Sequence, residues 1–290
     1  MDAIRTIVAL TDFSFAAHRA ARRAGLIAKQ CDAALHLLHV IDTSPTPALL
    51  RGSSAFSIEK ALTIEAERSL DSLAEDVHTF AGTTSARLVR EGRLIDEMIA
   101  AGANADLMVL GPRGVNPLRD LFLGAAAQRI ARMVERPMLV VKQDPTIAYE
   151  NILVPVDFSD YSLPALQFAR ALAPRATVHI LHAIHGSIER TLRGAGVSDE
   201  GVASYIQELQ REASESMALL RRSLNDEHAV SSVRSGDARV LIPEYASATG
   251  CTLIVMGKQG RSWLSEHVLG SVTRHIIEHA TCDVAVVPHE

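Results

Sequence analysis

The chain has 290 residues, of which 48% are apolar and 22% are charged, so its size suits two ordinary domains of about 150 residues each. Its apolar runs are far shorter than the roughly 18 residues that a membrane span needs, and its net charge of −5 gives no electrostatic reason to expect nucleic acid or an acidic membrane as a partner. Residues 1–30 lack the layout of a signal peptide and the three widely spaced cysteines form no CxxC pair, so we expect a cytoplasmic protein without a disulfide framework or a zinc knuckle.

The two halves of the chain repeat each other. TIVALTDFS at residues 6–14 matches NILVPVDFS at 151–159, and DLMVLGPRG at 106–114 matches TLIVMGKQG at 252–260. The offset of 145 or 146 residues is half of the chain, which indicates a duplicated domain and not a solenoid. A polar segment with a proline, near residues 143–150, separates the halves, so we predict domains at residues 1–145 and 149–290.

Strands and helices alternate along each half. In the second half, a strand at 152–156 precedes a helix that Ser159 or Asp160 is expected to cap. The elements that follow are a strand at 176–183, a long amphipathic helix whose apolar positions run from Ile206 to Leu224, a strand at 228–234, a helix at 238–248, a strand at 253–256, a helix from about 271 and a last strand at 283–287. This alternation predicts an α/β fold with a doubly wound parallel sheet that is covered on both faces.

Two loops of the second half carry residues with a chemistry of their own. Asp157 follows the first strand, and the loop after the fourth strand runs from Gly257 through Lys258 to Gly260. After nine intervening residues, Gly270 and Ser271 open a helix. In a doubly wound sheet these loops face one crevice if the first and fourth strands are neighbours at the switch point.

The residue types in this crevice favour a nucleotide. Glycines let backbone amides approach a ligand closely, and a helix N-terminus favours an anion. Ser271 adds a hydroxyl donor, and Lys258 and Arg261 add positive charge. Asp157 is too acidic for the phosphate end and better suits a ribose hydroxyl. The pattern therefore predicts a sugar over the first strand and phosphates at the last helix.

The chain resembles the universal stress protein family in tandem form. Nucleotide-binding members carry G-x2-G-x9-G-[S/T] after the fourth strand, and residues 257–271 meet that pattern, while VDFS, LHA and LIVMG resemble the family's strands. The resemblance implies two Rossmann-like, adenine nucleotide alpha hydrolase-like domains with five-stranded sheets of order 3-2-1-4-5. It also implies ATP, or AMP or ADP, as ligand without a Walker loop, with magnesium as a candidate companion. The implied contacts are Pro155, Asp157 and Ala183 at the nucleoside and Met256, Gly257, Gly260, Gly270, Ser271 and Val272 around the ribose and phosphates.

The first half keeps only part of this pattern. Four residues persist at matching positions, namely Asp12, Gly111, Gly114 and Gly124. Ala125 stands where the second half has Ser271, and Pro112 replaces Lys258 and removes an amide donor. The first half is therefore predicted to hold a weaker site.

Other chemistry is less well supported by the sequence. His275 and His279 are spaced i, i+4, which could seat zinc, but no third ligand is evident, so we expect no metal site. Neither GxSxG nor GxxxxGK[ST] occurs, and no general base is visible, so we assign no catalytic residue.

The resemblance implies a nucleotide-dependent sensor or regulator in the stress response. Two alternatives stay open: a slow ATP hydrolase, and a chaperone-like structural protein in which nucleotide is incidental. In the implied strand order the fifth strands, MLVV and VAVV, are uncharged apolar edges, which are prone to aggregate when exposed. We therefore expect the two domains of one chain to pair through these strands. The sequence also leaves room for a homodimer of whole chains.

Overall fold

The computed structural model describes residues 3–43, 53–112, 125–133, 135–224, 229–260 and 269–289. The chain divides into two compact units, Asp2–Ala148 and Tyr149–Glu290. Residues 142 to 147 belong to the first unit, where two arginines of its first helix hold them: Arg23 Nη1 donates to the carbonyl of Ile147 across 2.7 Å, and Arg19 Nη1 donates to that of Lys142 across 3.1 Å. None of the helices in the described ranges is long and apolar enough to cross a membrane.

The first unit alternates strands and helices around a parallel sheet of order β3-β2-β1-β4-β5. Its elements are β1 (Thr6–Leu10), α1 (Phe15–Cys31), β2 (Ala34–Asp42), α2 (Ser53–Ala81), β3 (Ser85–Gly92), α3 (Leu94–Ala103), β4 (Leu107–Leu110), α4 (Ala125–Met133) and β5 (Met138–Val140). Small residues give α1 a flat buried face, which lets the helix lie close to the sheet.

The second unit repeats this order as β8-β7-β6-β9-β10. Its elements are β6 (Asn151–Val156), α5 (Ser162–Leu172), β7 (Thr177–His185), α6 (Ser187–Gly194), α7 (Asp199–Leu224), β8 (Val230–Gly236), α8 (Ala238–Ala248), β9 (Leu253–Gly257), α9 (Ser271–His279) and β10 (Asp283–Val287). The strand order 3-2-1-4-5 and the doubly wound α/β class that the sequence predicts are confirmed in each unit.

Two local features differ from the sequence prediction. The expected capping of the first helix of the second half by Ser159 or Asp160 is wrong, because α5 begins only at Ser162 and the side chain of its N-cap residue, Tyr161, makes no capping hydrogen bond. The Ser159 hydroxyl instead donates to Asp157 Oδ1 across 2.6 Å. The short helix α6 was not predicted, because its eight residues are too few to show a periodic apolar pattern.

The central strands of the second unit position the loops of the predicted site. The register of β6 and β9 joins Ile152 to Leu253 and Leu153 to Ile254, while β6 and β7 remain paired as far as Val156. The neighbours β7 and β9 thus lie on opposite sides of β6, which is the switch point of this sheet. The carboxyl ends of all three strands consequently face the same edge.

Candidate functional site

A D-F-S turn follows the first strand of each unit and is built in the same way. Phe158 has a φ of 59°, and its equivalent Phe13 has a φ of 62°, both in the left-handed region that costs a non-glycine residue free energy. Each phenylalanine ring stacks on a histidine of the second strand, with centroids 4.4 Å apart for Phe158 and His182 and 4.5 Å apart for Phe13 and His39. These contacts offset the backbone cost and fix the turn.

Both histidines are themselves anchored to the end of the preceding strand. His182 Nδ1 lies 2.8 Å from the carbonyl oxygen of Val156, and His39 Nδ1 lies 2.9 Å from that of Thr11. They pack at the strand ends. Within the described ranges, no group of three His, Cys, Asp or Glu residues is arranged to hold a metal ion.

Asp157 is held by the turn in which it lies. Its Oδ1 accepts hydrogen bonds from the Ser159 backbone N–H at 3.1 Å, from the Ser159 hydroxyl at 2.6 Å and from the Ser162 hydroxyl at 3.3 Å. On its other side, Oδ2 stands against Gly260, where a Cβ would overlap with it. Hydrogen bonds from its own turn and from Ser162 of α5 therefore orient the carboxylate. Position 260 lies so close to its other oxygen that it has room only for a glycine.

The glycine loop after β9 is tied to the start of α9. The Thr273 hydroxyl donates to the Gly257 carbonyl across 2.9 Å, and the Gly270 N–H donates to the Lys258 carbonyl across 3.0 Å. Gly270 is the N-cap of α9, and no side chain in the described part of the chain caps this helix. Its first-turn N–H groups thus lie beside the loop, and they have no acceptor within the helix.

These elements surround one cavity of about 580 Å³. Most of the residues that the sequence assigns to the nucleotide line it, namely Pro155, Asp157, Ala183, Met256, Gly257, Gly260, Gly270, Ser271 and Val272. Apolar side chains of α6, α7 and α8, including Ile188, Leu209 and Ile242, form its far wall. The cavity combines an apolar wall, one fixed carboxylate and a helix N-terminus, and its volume falls within the usual range of small-molecule sites.

Lys258 is one of the two cations that the sequence assigns to the phosphates. It is 6% exposed and is not among the residues that line the cavity. Its backbone N–H donates to the Val287 carbonyl across 2.8 Å and its carbonyl accepts from Gly270, so the residue is fixed between β10 and α9. The second expected cation, Arg261, lies outside the described residues.

The structure describes only part of the predicted weaker site. Asp12 Oδ1 accepts from the Ser14 N–H at 3.0 Å, which repeats the turn of Asp157. A Cβ at Gly111 would lie 3.0 Å from the backbone carbonyl of Ala16, so this glycine also packs against the first helix. Gly114 and Gly124 lie outside the described residues.

Several cavity residues escape sequence reasoning. Phe158 and His182 appear in the repeated D-F-S and L-H segments, so the repetition itself could have drawn attention to them. Thr273 lies two positions beyond the glycine–serine pair. Tyr161 and Gln259 show no signal in the sequence, because their contact joins residues 98 positions apart.

Comparison with known proteins gives a consistent result. A sequence model described as the universal stress protein family matches residues 3–142 and again 148–288. Universal stress protein G of Escherichia coli O157:H7 is 30% identical over 144 residues, which cover 48% of this chain and 99% of that protein. A universal stress protein of Mycolicibacterium smegmatis is 25% identical over 293 residues, with 95% and 94% coverage. The crystal structure of a universal stress protein from Archaeoglobus fulgidus shares the fold, with a TM-score of 0.71, 18% identity and 98% coverage of both chains.

Proposed function

Because the chain belongs to the universal stress protein family, in tandem form, we propose that its second unit binds ATP or another adenine nucleotide. The observation that carries this proposal is the convergence of Asp157, the glycine loop and the N-terminus of α9 on one cavity. We propose further that nucleotide occupancy makes the protein a sensor or regulator in the stress response.

Each part of the cavity suits one part of the nucleotide. The apolar wall suits the base, with backbone groups of Ala183 in β7 nearby. Asp157 is an acceptor that suits the ribose hydroxyls, since its carboxylate would repel phosphate. The phosphates suit the other end, where Gly260 and the start of α9 present backbone N–H groups. Magnesium, if it accompanies the phosphates, would be held by them with water, since Mg²⁺ usually keeps several waters and few protein ligands.

A cytoplasmic location accords with the state of the cysteines. Cys251 is a free thiol, and both Cys251 and Cys282 are buried. Burial raises the pKa of the Cys251 thiol, which keeps it protonated and unreactive. Free thiols are the usual state of cysteine in a reducing compartment.

The direct test is to identify the nucleotide that the protein retains. The full chain is purified without added ligand, and the released small molecules are identified by mass spectrometry. We expect an adenine nucleotide, and calorimetry should give saturable ATP binding. A chain that retains no nucleotide and shows no heat with ATP would contradict the proposal.

The matched pair of variants Asp157→Ala and Asp12→Ala then tests the assignment of the site. The two aspartates occupy equivalent D-F-S turns, and each accepts the backbone N–H two residues on, so Asp12→Ala controls for the loss of that turn contact. Only Asp157→Ala should weaken ATP binding at the tight site, by about tenfold or more for one charged hydrogen bond. Equal ATP affinities in the two folded variants would show that Asp157 does not contribute to the site.

A further inference from the structure

Tyr161 and Gln259 join the turn after β6 to the glycine loop after β9. The Tyr161 hydroxyl donates a hydrogen bond to Gln259 Oε1 across 2.9 Å. Gln259 is 7% exposed, so water competes little for this bond. We call this hydrogen-bonded pair the Tyr161–Gln259 tether.

The ring of Tyr161 also fixes the start of the same loop. A Cβ at Gly257 would lie 2.5 Å from Tyr161 Cβ, so the tyrosine occupies the space beside the glycine. On its other side the ring meets His289 edge-on, with centroids 5.3 Å apart. Tyr161 thus contacts Gly257 by packing and Gln259 by a hydrogen bond, and all three residues line the cavity.

The sequence of the first unit has no equivalent pair. Ala16 takes the position of Tyr161 after the D-F-S turn, and Arg113 takes the position of Gln259. Gly111 there packs directly on the Ala16 backbone, with 3.0 Å between the Ala16 carbonyl and an added Cβ. A methyl group cannot accept or donate a hydrogen bond, so the tether belongs to the half of the chain that carries the complete glycine motif.

We infer that Tyr161 is a positioning residue, which acts through Gln259 to hold residues 257–260 in the conformation that receives nucleotide phosphates. The inference rests on the proposed nucleotide function, and it names the residue that orders the end of the cavity where the phosphates would bind. A loop held before binding loses less conformational entropy when the ligand arrives, so the tether raises affinity without touching the phosphates. The base and ribose, which lie at the other end of the cavity, gain nothing from it.

A double-mutant cycle on the full chain tests the tether. Tyr161→Phe keeps the ring against Gly257 and removes the hydroxyl, and Gln259→Leu removes the acceptor at similar volume. Calorimetry with ATP is expected to show a loss of about three- to tenfold for each variant, and no further loss for the double variant. Adenosine affinity, measured by competition against ATP, should stay at its wild-type value, whereas the thermal unfolding midpoint should fall only by the small amount that one lost buried hydrogen bond costs.

Three results would overturn the inference. An unchanged ATP affinity in Tyr161→Phe would show that the hydroxyl does not position the loop. Losses that add in the double variant would show that the two side chains contact the ligand independently. An equal loss for ATP and adenosine would indicate general damage to the unit. The wild-type titration comes first, since a wild-type chain that binds no ATP refutes the proposed function itself.

Discussion

At the scale of single residues, Gly260 beside Asp157 and Gly270 at the start of α9 differ in the space that they leave for a side chain. A Cβ at Gly260 would overlap with Asp157 Oδ2, whereas a Cβ at Gly270 would meet its nearest atoms at 3.5 Å, an ordinary contact. Gly260→Ala should therefore displace the carboxylate or the loop and weaken ATP binding by tenfold or more, while Gly270→Ala serves as the matched control with a smaller effect. Calorimetry of both variants is the measurement, and equal losses would contradict the steric argument.

The same residues show where sequence reasoning succeeds and where it fails. Asp157, Gly257 and Gly270 could be predicted, because a ligand-binding backbone leaves glycines at fixed spacing after a strand. The burial of Lys258 could not be predicted, because its backbone is fixed by a hydrogen bond to Val287 in another strand. The role of Ser159 was also hidden, since its hydroxyl could cap the helix or bind Asp157, and only the backbone turn at Phe158 decides between them.

At the scale of elements, α9 carries a titratable pair of histidines. His275 and His279 stack with ring centroids 4.2 Å apart, and His279 Nδ1 lies 2.9 Å from the His275 carbonyl. Burial lowers the pKa of His275, and the positive charges of His279 and Arg239 lower it further, against smaller opposite effects of Glu278 and Asp237. The folded protein therefore binds a proton at His275 less readily than the unfolded chain does.

This shift makes the stability of the second unit depend on pH. Below about pH 6.5, the ordinary value for histidine, the unfolded chain binds a proton at His275 that the folded chain does not yet bind. The stability that neutral His275 contributes to the folded state is present above that pH, and it is lost as the pH falls toward the lowered pKa of His275. His275→Gln should flatten the fall in unfolding free energy between about pH 7 and pH 5, as followed by urea unfolding with the fluorescence of Trp263, the single tryptophan. An unchanged slope would show that His275 does not contribute.

At the scale of the whole molecule, the pairing of the last strands of the two units stays a prediction. β5 is apolar and uncharged, β10 is apolar and uncharged after its first residue, Asp283, and each strand is the last in the order of its own unit. In such a strand only alternate amides bond to the inner neighbour, so the others exchange quickly unless a second strand covers them. Hydrogen exchange by NMR should show every amide of both strands protected. Fast exchange at alternate positions would leave the strands as open edges.

The duplication also predicts unequal binding by the two halves. The first half has Ala125 where the second has Ser271. The exchange of Lys258 for Pro112 removes no ligand donor, because the Lys258 N–H already donates to the Val287 carbonyl. A hydroxyl bonded to phosphate contributes enough that its loss should weaken binding roughly ten- to a hundredfold. We therefore expect about one tightly held nucleotide per chain, in the second unit.

Equilibrium titration of three chains checks this asymmetry. The wild type should give a stoichiometry near one at tight affinity, and Ser271→Ala should lose most of that affinity. Ala125→Ser should gain less than Ser271→Ala loses, because the first unit still has Ala16 where the second has Tyr161. Two equal and tight sites in the wild type, or a tight site that survives Ser271→Ala combined with Gly270→Val, would show that these donors do not set the difference. The contrast between the variants matters most, since each half then serves as the control for the other within one molecule.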